Sequence, residues 1–327
     1  MNYLILYLKG LAMGAADVVP GVSGGTIAFI SGIYERLLTA IKSVNFSLIP
    51  ILRNEGIAAV WKKVDANFLL TLMAGILTSV LSLARVIGWA LDTYPQLLWS
   101  FFFGLVLAST VFVAQDISRQ AAEKNEKAWT PTTIIAFLIG AIIAYGITII
   151  SPSEAPLTGG TSDYFLYFGS GAIAICAMIL PGISGSFILL LMGMYAPVLE
   201  AAKTFKIPVL GVFMLGCLLG LLAFSHVLTW LFKHYRAAAM AVLTGFMLGS
   251  LNKVWAWQNV VATRTNSKGD LVPFLYENVL PHNYNVIIDG QKADPYTLYC
   301  ILLTIVGFLV VFGIERLSRA AHQNENA

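Results

Sequence analysis

Two short segments of the chain share the pattern Pro-Gly-x-Ser-Gly, which is well suited to binding an anion. The first copy runs from Pro20 to Gly24 and the second from Pro181 to Gly185. Proline disfavours helix in the residue before it, glycine tolerates a sharp turn, and serine is a good N-cap. The first N–H groups of a helix have no intrahelical acceptor and lie at the positive end of its dipole. Each copy is therefore predicted to begin a helix that presents amides and hydroxyls to an anionic group.

Two basic residues inside apolar segments extend this candidate site. Arg85 lies within the predicted span Asn67–Leu91, and His226 lies 141 positions later, also within a span. A charge deep in a bilayer usually faces a partner or a wet cavity, although Arg85 is near enough to the end of its span to snorkel. A guanidinium fits phosphate well, while His226 could be a neutral hydrogen-bonding group or a proton carrier. The predicted substrate-binding residues are Ser23, Gly24, Gly25, Thr26, Arg85, Ser184, Gly185, Ser186 and His226.

Two acidic residues of the first copy are candidates for coupling or gating. Asp17 could pair with Lys9 or with Arg85, or it could bind a coupling cation. Glu35 is the second candidate, with a solvated pair between Glu35 and Arg36 as the alternative interpretation. The matching positions of the second copy are uncharged, so the two copies are not chemically equivalent.

The composition indicates a polytopic membrane protein. Of the 327 residues, 58% are hydrophobic and 11% are charged, and several apolar runs reach the roughly 20 residues that cross a bilayer as a helix. The net charge of +3 is small and forms no basic stripe, so a nucleic-acid partner is not expected. Cys176, Cys217 and Cys300 lack metal-ligand or disulfide-framework spacings. We therefore expect no metal and no cofactor.

The apolar segments predict an all-α fold with six full spans and two helical hairpins that enter and leave the membrane on one side. A Pro-Gly corner without polar loop residues is tolerated at membrane depth when protein or water surrounds it. The first half comprises a hairpin at 1–43, an amphipathic insert at 46–65 and spans at Asn67–Leu91, Gln96–Asp116 and Thr132–Ile150. The second half comprises a hairpin at 164–202, spans at Pro208–Phe232, Ala237–Trp257 and Tyr296–Ile314, and a polar outer loop at 258–295.

The two halves, 1–150 and 162–317, are predicted to be inverted repeats. Matching residues lie 161, then 141, then 167 positions apart, as in Pro20 and Pro181, Trp89 and Trp230, and Gly140 and Gly307. The spacing changes where one half carries an insertion, which makes chance resemblance a poor explanation. A hairpin and three spans in each half invert the second half, and secondary transporters bind substrate between such broken helices. The side richer in Lys and Arg, and both termini with it, is expected in the cytoplasm.

An enzyme is the alternative interpretation of the same residues. Gly21-Val-Ser-Gly24 and Gly182-Ile-Ser-Gly185 fit the Gly-x-Ser-Gly pattern of intramembrane serine hydrolases, with His226 as a base. Inverted duplication is expected of a transporter and adds nothing to one Ser/His dyad. We therefore predict a transporter without catalytic residues. A transporter of a small anion is the other alternative.

The segment Lys9–Thr26, KGLAMGAADVVPGVSGGT, resembles the opening signature of the bacterial polyprenyl-phosphate (undecaprenyl-phosphate) translocase family of the PopT type, formerly a domain of unknown function. The resemblance extends over essentially the whole chain, including the second Pro-Gly-Ile-Ser-Gly. It implies a lipid flippase in the bacterial cytoplasmic (inner) membrane. Such a protein returns undecaprenyl phosphate from the outer to the inner leaflet for peptidoglycan and cell-envelope synthesis. The partners it implies are this lipid and membrane lipids, and the oligomeric state stays open, a homo-oligomer included.

Overall fold

The computed structural model describes residues 3–18, 23–45, 47–123, 125–150, 157, 160–265, 271–288, 291–292 and 294–325. Helices of the first half are α1 Tyr3–Val18, α2 Gly24–Ile30, α3 Tyr34–Ser43, α4 Leu48–Glu55, α5 Ile57–Lys63, α6 Ala66–Thr93, α7 Pro95–Glu123 and α8 Pro131–Ile149. Those of the second half are α9 Asp163–Ile179, α10 Gly185–Leu191, α11 Tyr195–Lys203, α12 Ile207–His234, α13 Arg236–Ser250 and α14 Thr297–Glu325.

Several helices have the length and composition to cross a membrane, which agrees with a multi-pass membrane protein. Four pass by both criteria within the described residues: Ala66–Leu83 of α6, then α7, α8 and α12. Shorter apolar helices are α9, α13 and the part of α14 from Thr297 to Gly313. The predicted span Ala237–Trp257 was too long, because α13 ends at Ser250 and a turn follows it. The amphipathic insert is two short helices, α4 and α5, that break at Gly56, where φ is +80°.

The polar loop at 258–295 corrects the prediction of an all-α chain. It contains β1 Gln258–Thr265, paired antiparallel with β2 Leu271–Asn278, and a smaller pair formed by β3 Ile287–Ile288 and β4 Gln291–Lys292. β1 is rich in valine and threonine, whose branched side chains favour strands over helices. The hydropathy pattern that identified the spans carried no information about this polar segment.

The long helices pack in four parallel pairs through close glycine contacts. In each pair a Cβ added to the glycine would lie within 2.5 Å of a backbone oxygen of the neighbouring helix, so only glycine permits this approach. The two helices of each pair are parallel, because residues further along one helix contact residues further along the other. The contacts are Gly10 with Leu72 for α1–α6, Gly216 with Phe168 for α9–α12, Gly104 with Thr304 for α7–α14, and Gly245 with Phe137 for α8–α13.

The first hairpin consists of α1 and α2 running antiparallel. The backbone N–H of Gly24 donates to Asp17 Oδ1 at 2.7 Å, and Lys9 Nζ donates to the Ser31 carbonyl at 2.6 Å. These two contacts hold the start and the end of α2 against α1. The predicted corner at Pro20-Gly21 lies outside the described residues.

The second hairpin repeats this arrangement with α9 and α10. A Cβ on Gly185 at the start of α10 would lie 2.6 Å from the Ala174 carbonyl of α9. Each returning helix then turns at a glycine with positive φ, +73° at Gly32 and +71° at Gly193. Such values are unfavourable for residues with a side chain. After Gly193 the chain changes direction by 110° between α10 and α11.

The connections between long helices also recur. Tyr94 joins α6 to α7 with φ −137° and ψ 55°, and Tyr235 joins α12 to α13 with φ −137° and ψ 47°. In both places a tryptophan five residues earlier packs edge-on against the tyrosine ring: Trp89 at 6.0 Å and Trp230 at 5.8 Å. The same backbone geometry and aromatic pair therefore occur at the positions that the sequence comparison of the halves had matched.

We predict that Gly104→Ala destabilises the protein whereas Gly146→Ala does not. The added methyl at Gly104 would lie 1.9 Å from the Thr304 carbonyl and push α7 away from α14, whereas Gly146 has nothing within 4 Å. Forcing a group into a packed interface costs about 1–3 kcal/mol. Thermal unfolding in detergent should show a lower midpoint for Gly104→Ala alone, and equal midpoints for the two variants would contradict the packing assigned to this pair.

Candidate functional site

The first Ser-Gly turn contacts the end of α9 and Gly182, which lies just before the second Ser-Gly turn. The backbone N–H of Gly182 donates to Thr26 Oγ1 at 2.9 Å, and the Ser23 hydroxyl donates to the Met178 carbonyl at 2.8 Å. The contact is close, since a Cβ on Gly25 would lie 2.6 Å from the Ile179 carbonyl. Residues that are 155 and 156 positions apart in sequence thus belong to one junction, formed by the start of α2, the end of α9 and Gly182.

The first turn of α2 is already satisfied by groups of the protein. Gly24 N–H donates to the Asp17 carboxylate, Gly25 N–H to Ser23 Oγ at 3.1 Å, and Thr26 N–H to the Ser23 carbonyl at 2.9 Å. Ser23 and Thr26 are buried, with 1% and 0% of their surface exposed. Ser23 is the N-cap that the sequence predicted. The negative charge at this helix start is therefore that of Asp17.

The first turn of α10 is different. Its N-cap residue, Ser184, makes no capping bond, and its hydroxyl instead lies 2.9 Å from the hydroxyl of Ser186. Within the described chain, the N–H groups of Gly185, Ser186 and Phe187 have no hydrogen-bond acceptor. Ser184 is buried and Ser186 is exposed. Of the two predicted turns, α10 alone keeps its amides available.

The structure does not join the two predicted basic residues to this junction. Arg85 is exposed on α6 and makes no hydrogen bond or ion pair with another described residue. His226 is exposed on α12, and its Nδ1 lies 2.7 Å from the Leu222 carbonyl of its own helix. No described hydrogen bond links His226 to Ser23 or Ser184, as a hydrolytic dyad would require.

The acidic residues have partners that the sequence did not predict. Asp17 contacts Gly24 instead of Lys9 or Arg85. Glu35 and its neighbour Arg36 do not pair with each other; Arg36 binds Asp65 at 2.6 Å, and Glu35 binds Arg236 at 2.7 Å.

The Glu35–Arg236 pair borders a cavity of about 360 Å³. Arg236 also donates from Nε to Gln120 at 3.0 Å, so one guanidinium connects α3, α7 and α13. Asp116 and Arg119 add charge at the cavity, and its other walls are mainly apolar, with Phe29, Ile30, Phe112, Val113, Met240 and Val311. The described residues contain no group of three or more His, Cys, Asp or Glu side chains placed to hold a metal ion.

Sequence reasoning overlooked Lys253, which lies beside α10. Its Nζ lies 4.3 Å from the ring centroid of Phe187 and 5.7 Å from that of Tyr276. The sequence placed Lys253 inside the predicted span Ala237–Trp257 and gave it no part in the site. The polar and aromatic residues that follow it were the available signal that the helix ends earlier.

Comparisons with known proteins agree with one another. The family described as VCA0040-like, undecaprenyl phosphate translocase-like, matches residues 13–272. A polyprenyl-phosphate transporter of Vibrio cholerae serotype O1 is 47% identical to this chain over 316 residues, 97% of each protein. A polyprenyl-phosphate transporter of Staphylococcus aureus is 31% identical over 258 residues, 76% of this chain and 84% of the relative. No solved structure matches the chain.

We predict that Thr26→Val weakens the junction and that Thr26→Ser preserves it. Valine has nearly the shape of threonine but leaves the Gly182 N–H without its acceptor, and an unpaired buried donor costs about 1–3 kcal/mol. Hydrogen exchange measured on the peptide that contains Gly182 should be faster in Thr26→Val and near the unsubstituted rate in Thr26→Ser. Unchanged exchange in the valine variant would show that this bond does not hold the hairpins together.

Proposed function

This chain belongs to the undecaprenyl phosphate translocase-like family, and from that membership we propose that it is a transporter that moves a polyprenyl phosphate across the membrane. Both curated relatives described above are named polyprenyl-phosphate transporters. We further propose that the substrate is undecaprenyl phosphate and that it moves from the outer to the inner leaflet of the bacterial cytoplasmic membrane. The inner leaflet is where the lipid is reused for peptidoglycan and other envelope polymers.

The transport mechanism that we propose depends on the contact between the two hairpins, which start from opposite faces of the protein. Arg36 binds Asp65 at the start of α6, and the adjacent Glu35 binds Arg236, which lies two residues after the end of α12. The start of α6 and the end of α12 therefore lie on one side of the protein, which we call the first face; the opposite side is the second face. Since α1 runs parallel to α6 and α9 parallel to α12, the hairpins start from opposite faces.

This arrangement supports two inverted repeats, 1–150 and 162–317, each with a re-entrant hairpin. The recurring Tyr94 and Tyr235 geometry and the positive φ of Gly32 and Gly193 support the same proposal. In known secondary transporters with inverted repeats, broken helices of this kind hold the substrate near the middle of the membrane. The junction of the two turns is the corresponding position in this protein.

We place the lipid phosphate at the first turn of α10. A phosphomonoester carries about −1.5 to −2 charges near neutral pH and accepts several hydrogen bonds. The N–H groups of Gly185 and Ser186 and the hydroxyls of Ser184 and Ser186 are suitable donors. The α2 turn, with Ser23, Gly24, Gly25 and Thr26, joins the site only when Asp17 releases Gly24. We assign a gating role to Asp17 for this reason: its carboxylate must leave the N–H of Gly24 before the phosphate can bind there.

Glu35 has a gating role at the first face in this proposal. Its pair with Arg236 borders the cavity and connects α3, the helix that follows the first hairpin, to α7 and α13. Both side chains are 45% exposed, and ion pairs of this kind contribute only about 0–1 kcal/mol. The pair can therefore open and close at little cost as the cavity admits or releases the headgroup.

Arg85 and His226 keep an accessory role as residues that guide the phosphate from lipid to the junction. Gly14 of α1 packs against Ser79 of α6, so Arg85, six residues further on, lies at about the depth where α1 ends. The first face also carries most of the described Lys and Arg side chains near helix ends, which supports a cytoplasmic first face. The basic residues there are Arg36, Lys42, Arg53, Lys62, Lys63, Arg119, Lys127, Lys233 and Arg236.

We predict that Ser184→Ala combined with Ser186→Ala lowers the rate of undecaprenyl phosphate translocation in proteoliposomes about tenfold or more. Loss of one hydrogen bond to a charged group costs about 1.5–3 kcal/mol, and 1.4 kcal/mol corresponds to a factor of ten. The control is Ser225→Ala, which removes a buried hydroxyl that bonds only the Leu222 carbonyl of its own helix. Its rate should match that of the unsubstituted protein.

A normal rate in the double variant would overturn the assignment of the phosphate to α10. If the unsubstituted protein moved no lipid but accumulated inorganic phosphate, a small-anion transporter would replace the proposed function. Lipid loaded selectively into one leaflet gives the direction of movement in the same assay.

A further inference from the structure

Lys253 lies in the turn that follows α13 on the second face. Its backbone is fixed, because its N–H donates to the Ser250 carbonyl at 2.9 Å and its carbonyl accepts from Gln258 Nε2 at 3.1 Å. The end of α13, directly before this turn, contacts the second hairpin, since a Cβ on Gly182 would lie 2.8 Å from Ser250 Oγ. Lys253 is therefore attached to a rigid part of the protein, directly beside the candidate junction.

The ammonium group of Lys253 has aromatic rings for neighbours instead of a carboxylate. It lies over Phe187, the third residue of α10, and near Tyr276 of β2. None of the ion pairs among the described residues includes it. Burial lowers the pKa of the Lys253 ammonium from its ordinary value, because desolvation disfavours the charged form. Ring faces stabilise a cation more weakly than an anion in contact with it does, so an arriving anion would be favoured.

The position of Phe187 connects this cation to the hydroxyls of α10. Phe187 directly follows Ser186, whose hydroxyl lies 2.9 Å from that of Ser184. An anion at these hydroxyls would lie next to the residue on which the Lys253 ammonium rests. The rings of Phe187 and Tyr276 also give an apolar wall on the same side, which suits a headgroup attached to a hydrocarbon chain.

We propose that Lys253 binds the phosphate of the lipid substrate at the second face and distinguishes the phosphomonoester from the uncharged polyprenol. This inference rests on the proposed function and adds the cation that the α10 turn itself lacks. The ammonium leaves the ring of Phe187 for the phosphate oxygens, and the two serine hydroxyls of α10 bind the same headgroup. Lys253 thus acts in the role for which the sequence favoured Arg85.

The test is equilibrium binding to the purified full-length protein in detergent, with undecaprenyl phosphate, undecaprenol and inorganic phosphate as separate probes. We expect Lys253→Gln to weaken undecaprenyl phosphate binding about tenfold or more while leaving the weaker undecaprenol binding unchanged. Lys253→Arg should retain most of the affinity, because it keeps the positive charge. The matched control is Lys206→Gln, on an exposed lysine at the start of α12 on the same face. It should bind as the unsubstituted protein does.

Normal undecaprenyl phosphate binding by Lys253→Gln would overturn the inference and leave the proposed function intact. So would equal losses for undecaprenyl phosphate and undecaprenol, since these would indicate a merely structural role. If inorganic phosphate displaced undecaprenyl phosphate at a concentration equal to that of the lipid, the site would bind a free anion and not a lipid headgroup. Failure of the unsubstituted protein to bind any polyprenyl phosphate would instead count against the proposed function. Thermal unfolding of each variant confirms that the compared proteins are folded.

Discussion

The structure depends on the pairing of α2 with charges from α1. Asp17 accepts from the N–H of Gly24 at the start of α2, and Lys9 donates to the Ser31 carbonyl at its end. The two charged residues are eight positions apart, about 12 Å along α1, while the seven residues of α2 extend about 10.5 Å. An anion at the start of a helix and a cation at its end both stabilise it through the helix dipole. Two charges that would be costly in an apolar hairpin are thus each satisfied by the backbone, and α2 is held at a fixed position along α1.

The second hairpin lacks both charges, and this difference gives the two turns different properties. The positions equivalent to Asp17 and Lys9 are Met178 and Ser170, so no carboxylate occupies the start of α10. Instead, the backbone carbonyl of Met178 accepts from Ser23 and holds the two turns together. The first hairpin is therefore closed by its own carboxylate, whereas the second keeps free amides and two hydroxyls. The N–H groups at the start of α10 therefore remain open to an anion, whereas those at the start of α2 already have acceptors within the protein.

The sequence predicted local breaks well and tertiary partners poorly. Pro-Gly-x-Ser-Gly placed the starts of α2 and α10 correctly, because helix-ending and capping preferences act over a few neighbouring residues. The sequence indicated Arg85 because a charge inside an apolar segment usually faces a partner or a wet cavity. No spacing rule indicates which side of α6 it faces. Lys253 was overlooked because hydropathy extended α13 to Trp257, although the helix ends at Ser250. The partners of Asp17 and Glu35 depend on how the hairpins fold back, which a linear pattern does not contain.

The distribution of strong and weak contacts indicates which parts of the protein can move. The four parallel helix pairs bring backbone against backbone at glycines such as Gly104 and Gly216, and close packing of this kind does not deform gradually. The hairpins are joined by two described hydrogen bonds, and α3, which follows the first hairpin, is joined to α13 by the half-exposed Glu35–Arg236 pair. These three polar contacts together contribute about 1–4 kcal/mol, in addition to the close packing of Gly25 against the Ile179 carbonyl. A phosphate that gains hydrogen bonds from both turns can supply free energy of this size. In the transport mechanism that we propose, substrate binding moves the hairpin tips between the helix pairs and opens the junction to one face and then to the other.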